Sequence, residues 1–441
     1  MRSDSQRMIS NVVLSTLHKF SSTLFGFLNF LLLVRMLSKS DFGIWSIFLF
    51  GITAFEFSKS SLIKNAHIHL LISSTKKDVP AIAGSSLLIN SLCSLFFILF
   101  ILVGGESLSS WLNMSTVLSK MLIAYIPGII LLIFFSHYEA VQQSNNNFKN
   151  CFTANIFRQI SFFIPLIYFY YFNQSPSLIA LVYFFTIANA VGLFVLWLLS
   201  LKYIITRIRV SFKIIATIFS YGGFLMAGNV LSQLTFNVDQ ILVSRMISVN
   251  YVGYYGIASR VMNTLDIPMN GAAEAMFPSY SKAFLENDSI LIKKYLERAI
   301  GSLLAIITPI SLILFLFSEQ IINVIAGKEY MDADVILKIY LLVIIINIFK
   351  HQSSNTLLSL GKTKLHFTIN AVETLIFILA AYLFILSNGL LGAAIARILI
   401  AISSLIFWII LMKRYVHVSI RNILIYFLKF FPSTYQLLKN K

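Results

Sequence analysis

The chain has 441 residues, 58% of them hydrophobic and 12% charged, with a mean hydropathy of +0.84. A soluble globule carries roughly 25% charged residues, so these side chains cannot cover a water-exposed body of this size; disorder, collagen and coiled coil are excluded by the same figures. Lys and Arg number 34 against 17 Asp and Glu, a formal charge of +17, and the surplus sits in short loops between apolar runs, which points to a membrane and away from nucleic acid.

A helix needs about 20 largely apolar residues to cross roughly 30 Å of hydrocarbon. That criterion predicts spans over 9–34, 42–63, 81–104, 118–138, 151–172 and 177–200, then 213–240, 250–273, 295–318, 334–358, 366–387 and 389–412. The first run is too long for a signal-peptide core and reads as a retained span. Beyond 412 the apolar tail is interrupted by Arg421 and Lys429, and 413–441 is expected to form a basic amphipathic cytoplasmic helix on the membrane surface. The expected fold class is thus an all-α polytopic membrane protein of 12 transmembrane helices in two pseudo-symmetric six-helix bundles, 1–204 and 205–412.

Orientation follows from the basic residues. With the N-terminus in the cytoplasm, most Lys and Arg outside the spans fall in cytoplasmic segments, among them Arg2, Lys64, Lys76, Lys77, Arg207, Arg209, Lys293 and Lys294. Only Arg35, Lys39, Lys120, Arg245 and Lys328 fall on the opposite side. This bias puts both termini in the cytoplasm. Cys93 and Cys151 lie within or at the start of apolar segments with no ligand spacing to a histidine, so neither a disulfide framework nor a metal site is expected. Gly361-Lys362-Thr363 ends like a phosphate loop, but Thr356 occupies the place of the earlier glycine; a basic turn is the better reading. The loops are too short for an ATP-hydrolysing domain, and neither a cofactor nor an enzyme activity is expected.

An internal repeat is visible at a constant offset. Arg35, Met36, Ser38 and Gly43 after the first span recur as Arg245, Met246, Ser248 and Gly253 after the seventh, and Glu56 maps onto Asp266. Parallel repeats of this kind are related by an axis along the membrane normal, and substrate sites lie at the repeat interface near the midplane. A central cleft between the halves is therefore expected. Gly222 with Gly223, Pro127 with Gly128, and Pro268, Pro278 and Pro309 are either hinges or ordinary kink and packing residues.

Charges at membrane depth are costly and normally face protein, water or a counter-ion. Lys19, Glu56, Arg260, Asp266 and Arg397 are the deepest. Arg158, Asp239, Arg298, Lys350 and Glu373 lie nearer span ends, with Lys59 and Lys338, for which reaching to the headgroups is as good a reading. Two arrangements are open: static pairs such as Lys19–Glu56 and Arg260–Asp266, or a cationic cavity that receives a phosphate or pyrophosphate, for which the guanidinium fork is suited. The second is favoured, because Arg260 and Asp266, six residues apart, lie on largely different helix faces. Substrate contacts are expected from Lys19, Arg158, Arg260, Arg298, Lys350 and Arg397, and charge balance or proton or sodium coupling from Glu56, Asp239, Asp266 and Glu373. Asn229, Gln233 and Asn237 recur every fourth residue on one face, which Gln240 extends, and are expected to line the same cleft.

The stretches Val34-Arg35-Met36-Leu37-Ser38 with Phe42-Gly43-Ile44-Trp45, and Asp239-Gln240-Ile241-Leu242 with Val252-Gly253-Tyr254-Tyr255 and Ala258-Ser259-Arg260-Val261, resemble the multidrug/oligosaccharidyl-lipid/polysaccharide exporter superfamily. The run from Asn270 to Pro278 with Tyr280-Ser281-Lys282 is similar to the same pattern. Within the superfamily the chain resembles the bacterial branch that flips undecaprenyl-pyrophosphate-linked O-antigen or capsule repeat units. That resemblance implies an alternating-access flippase of the bacterial inner membrane, a lipid-linked oligosaccharide as substrate, and a polysaccharide polymerase and chain-length regulator as partners of a monomer. Lipid II flippases typically carry two further spans, which this chain lacks. Drug exporters are the nearest competitor, but an interior rich in Lys and Arg suits organic cations poorly.

Overall fold

The computed structural model describes residues 4–73, 78–114, 116–145, 147–203, 209–286 and 288–439. Arg2, Lys76, Lys77, Arg207 and the side chain of Lys19, all used in the orientation or site arguments above, lie outside the described residues. Every described element is helical: α1 (Asp4–Met36), α2 (Lys39–Ser73), α3 (Val79–Trp111), α4 (Val117–Ala124), α5 (Ile126–Ser144), α6 (Phe148–Tyr171), α7 (Leu178–Ser200) and α8 (Phe212–Met246). There follow α9 (Val252–Leu285), α10 (Ser289–Leu316), α11 (Ser318–Ala326), α12 (Asp334–Ser359), α13 (Thr363–Asn388), α14 (Gly392–Val416) and α15 (Ile420–Lys439), with short 3₁₀ turns between some of them. Hydrocarbon offers no partner for a free N–H or C=O, and a helix satisfies its own.

Six described stretches are long and apolar enough to cross a membrane, and two bent pairs raise that to eight. The expected twelve are not all matched by this measure, for local reasons. Only 20–36 of α1 reads as an apolar helix, α9 carries Arg260 and Asp266, and α12 carries the polar run from Lys350 to Thr356. The 54-residue stretch Thr363–Val416 counts once, yet at 1.5 Å per residue it is about 80 Å long, more than two bilayer crossings. It reverses at Gly389, whose φ of 57° lies in the left-handed region, and α13 and α14 pack against each other.

Both bends have a residue-level cause. Pro127 interrupts the helical hydrogen bonding, and α4 and α5 meet at 42° around Tyr125. The fully buried Tyr125 ring fills the angle: Asn189 Nδ2 donates to its hydroxyl at 2.9 Å, and Phe48 and Phe185 flank it. In α8 the 44° bend separates Phe212–Ser220 from Gly222–Met246. A Cβ on Gly222 would lie 2.0 Å from the Leu62 carbonyl oxygen, so glycine lets α8 meet α2 backbone to backbone. Leu62, Ile63, Ala66, Ile89 and Ile218 close the apolar cluster beside that crossing.

Contacts divide the chain into two compact units, Met1–Gln233 with Ser248–Gly253, and Leu234–Ile247 with Tyr254–Lys441. The division falls inside α8, not in the loop near 204 that the repeat suggested. In the first unit the two repeat-related turns meet, for a Cβ on Gly43 would stand 2.3 Å from the Val249 carbonyl oxygen. In the second unit α15 packs along α10. Glu297 accepts hydrogen bonds from the Ser419 amide at 2.7 Å and from Asn422 Nδ2 at 3.0 Å, and Gly301 lets the backbones at Ile423 and Phe427 approach. Leu424, Leu428 and Phe431 remain on its exposed face. The tail is amphipathic as expected, with one side fixed to α10.

Candidate functional site

In the first unit, polar side chains converge from α2, α3, α5 and α6. Glu56, Lys59, Ser60, Lys64 and His67 recur at three- and four-residue intervals along α2, a spacing that keeps them on one broad face. Lys59, only 2% exposed, pairs with Glu56 at 2.8 Å and reaches Ser94 Oγ at 3.3 Å. This corrects the reading of Lys59 as a residue extended to the headgroups, and it gives Glu56 a partner other than Lys19. Lys64 crosses to Glu139 of α5 at 3.1 Å. Burying an ion costs several kcal/mol unless a partner stands beside it, which is why each of these carboxylates has a lysine.

Arg158 of α6 differs from them. Its guanidinium donates to Asn155 Oδ1 at 3.0 Å and lies 4.9 Å from the centre of the Phe135 ring. Among the described residues no carboxylate lies within 4.0 Å of it; Glu56, Glu139 and Tyr125 act on it from further away. Its aliphatic stem crosses α7 at Gly192, where a Cβ would come within 2.9 Å of the Arg158 Cβ. A guanidinium has five N–H donors, so Arg158 keeps most of its hydrogen-bonding capacity while partly buried in a membrane helix.

In the second unit Arg397 is engaged by a carboxylate. Its Nη2 stands 2.7 Å from Asp239 Oδ2 and its Nε donates to the same oxygen at 2.9 Å. The carbonyls of Thr235 and Phe236 accept from it at 3.3 and 3.2 Å, the Tyr340 and Phe377 rings lie 5.0 and 4.8 Å away, and Tyr340 hydrogen-bonds Asp239. Both charges are interior, Asp239 at 0% exposure and Arg397 at 8%. Such an arginine joins α8, α12 and α14; its fork is occupied by the protein itself.

Lys350 is held in a similar way. It pairs at 2.5 Å with Glu373, which also accepts from Ser404 Oγ at 2.7 Å and Trp408 Nε1 at 3.2 Å. Arg260 and Asp266 are partly buried on α9, and Arg298 is exposed on α10. The expected stripe on α8 divides between partners: Asn229 bonds Ser61 of α2, whereas Asn237 Oδ1 accepts from Gln240, which also reaches Ser259 of α9 at 3.4 Å. Gln233 is partly buried between these groups in sequence. The GKT segment is the turn between α12 and α13, with Gly361 at a φ of 71°. No group of three or more His, Cys, Asp or Glu suited to a metal occurs among the described residues.

The sequence reading placed Lys64 in a cytoplasmic loop, whereas it lies within α2, and it left out Glu139, His67 and His137. The last two bring their rings to 5.5 Å. The polar spacing along α2 was a usable signal for half of this set; nothing in the sequence pairs it with α5.

The described residues form an all-helical body of long apolar spans, two of them bent pairs, with buried charge pairs. The structure superimposes on the lipid II flippase MurJ in an inward closed conformation, with a TM-score of 0.77 and 18% identity over 95% of this chain and 90% of that one. It also matches an inward-facing multidrug resistance transporter of the MATE family at a TM-score of 0.74, with 15% identity over 89% and 94% of the two chains. These likenesses define the fold. Residues 32–335 match the polysaccharide biosynthesis protein family, and the chain belongs to that family. Among its relatives are a Shigella flexneri protein named "Putative O-antigen transporter", 25% identical over 53% of this chain and 55% of its own, and the teichuronic acid biosynthesis protein TuaB of Bacillus subtilis, 25% identical over 40% and 36%. The chain thus aligns with about half the length of these relatives or less.

Proposed function

We propose that this protein is a flippase that carries a lipid-linked oligosaccharide, an undecaprenyl-pyrophosphate-linked repeat unit of O-antigen or capsule, from the cytoplasmic to the outer leaflet of the inner membrane by alternating access. Family membership supports the substrate class. The observation that carries the reading is Arg158, a partly buried arginine in a membrane helix with donors to spare. A diphosphate cannot enter hydrocarbon bare, because an isolated ion loses its hydration there. A guanidinium presenting parallel N–H groups replaces part of that shell with charge-assisted bonds. The neutralised pairs Glu56–Lys59 and Lys64–Glu139 hold the surrounding helices at the required polarity.

No covalent step is involved. The polyprenyl tail stays in lipid while the sugar and diphosphate travel with the protein groups, and both termini stay in the cytoplasm. Polymerase and chain-length regulator act on the product after it emerges. A proton or sodium gradient, or consumption of the product, supplies direction. The test is translocation of a fluorescent lipid-pyrophosphate oligosaccharide in proteoliposomes: transfer above the protein-free rate supports the reading, and its absence with the native repeat unit refutes it. The likeness in fold to multidrug transporters favours one alternative, a cation-coupled exporter of drugs or metabolites. That alternative predicts uptake of organic cations by the same vesicles and no transfer of the lipid.

A further inference from the structure

The first unit contains a small, partly open cavity of about 20 Å³ between α2, α3 and α5. Lys59, Lys64 and His67 of α2, Ser86 and Asn90 of α3, and His137 of α5 line it. Four polar atoms of these lining residues, His67 Nε2, Ser86 Oγ, Asn90 Oδ1 and His137 Nδ1, are buried with no hydrogen-bond partner among the described residues. His67, Ser86 and Asn90 are 1%, 2% and 4% exposed. Buried polar groups are nearly always paired, and four orphans facing one space imply something that pairs with them.

We propose that this cavity binds a small inorganic monoanion, of halide size and charge. The donors greatly outnumber the acceptors. An ammonium carries three N–H groups; Lys59 uses two of them on Glu56 and Ser94 and Lys64 one on Glu139. Ser86 adds a hydroxyl, and each imidazole can turn an N–H toward the centre by choice of tautomer. Asn90 spends its amide N–H groups on the Ile133 carbonyl and Ser136 Oγ, at 3.2 and 2.7 Å. Its carbonyl oxygen therefore faces the cavity and takes a water bound beside the anion.

Charge balance points the same way. Lys59, Lys64 and Arg158 stand against Glu56 and Glu139, and Arg158 acts on both carboxylates. One positive charge is left over before any imidazole is protonated, and His18 of α1, which also acts on Glu139, adds to it when charged. A metal cation is the wrong occupant, since both carboxylates already hold ammonium groups.

The experiment uses the intact protein in detergent and titrates sodium bromide against sodium gluconate at constant ionic strength, read by calorimetry and by the unfolding midpoint. Wild type should bind bromide saturably and gluconate not at all. His67→Gln and His137→Gln should each weaken bromide about tenfold, the equivalent of one charge-assisted hydrogen bond, and the double variant should bind it more weakly than either. Bromide anomalous scattering from wild-type crystals needs no variant and should give a peak between α2, α3 and α5. No saturable preference for bromide in wild type, meaning that the cavity holds water only, overturns the proposal. So does a peak elsewhere, or binding unchanged in both variants. None of these readouts measures translocation, so failure here leaves the flippase reading standing, and the reverse holds.

Discussion

One oxygen of Asp239 accepts a hydrogen bond from Arg397 Nε at 2.9 Å and stands 2.7 Å from its Nη2, and these two side chains of α8 and α14 are both buried. The sequence places both within apolar runs with nothing to connect them, and the fold makes them one unit with Tyr340. An interior arginine engaged in this way organises helices. Its removal is therefore a stability experiment before it is a transport experiment.

Replacing one member strands the other in a low-dielectric interior, at a cost of about 3–5 kcal/mol. Asp239→Asn or Arg397→Met alone should sharply lower the unfolding midpoint of the purified protein. The double variant should be less damaged than the sum of the two, because no charge is left over. Additive losses in that cycle would show the two side chains to be independent.

Arg158→Gln removes the charge and the fork while keeping a hydrogen-bonding stem. Loss of a charge-assisted contact worth about 1.5–3 kcal/mol corresponds to a ten- to hundredfold slower transfer of lipid-linked oligosaccharide. Membrane insertion and yield should stay near wild type, since Arg158 has no carboxylate partner among the described residues. Transfer at the wild-type rate would remove Arg158 from the transport pathway.

Gly222→Ala puts a methyl carbon where the Leu62 carbonyl oxygen is 2.0 Å away. Backbone cannot yield as a side-chain tip does, so α8 must separate from α2, at about 1–3 kcal/mol. Gly223→Ala meets nothing within 4 Å and serves as the control. Thermal unfolding of the two variants side by side should give a loss in the first and little change in the second.

Glu297→Ala deletes both acceptors at the start of α15. A lost helix cap costs about 0.5–2 kcal/mol, and the effect should be local. Amide hydrogen exchange over 419–431 should quicken while α12 and α14 keep their protection. Unchanged exchange in α15 would mean that its packing on Gly301 alone holds it.

The arrangement of the chain as membrane helices was legible in composition and in the lengths of its apolar runs, because a bilayer demands both. Pro127 marked the α4–α5 break. Partners were another matter. Glu56 pairs with Lys59, three residues away, and Arg397 with Asp239, 158 residues away.

Hydrophobicity is a property of each residue, so the sequence alone was enough to identify a helical membrane protein. Pairing depends on which helix faces meet and how closely, and that is set by contacts between residues far apart in the chain, such as Gly222 against Leu62 and Gly192 against Arg158. Only the tertiary structure could therefore decide which buried charges cancel one another, which arginine keeps its donors, and that two histidines from α2 and α5 look into one cavity.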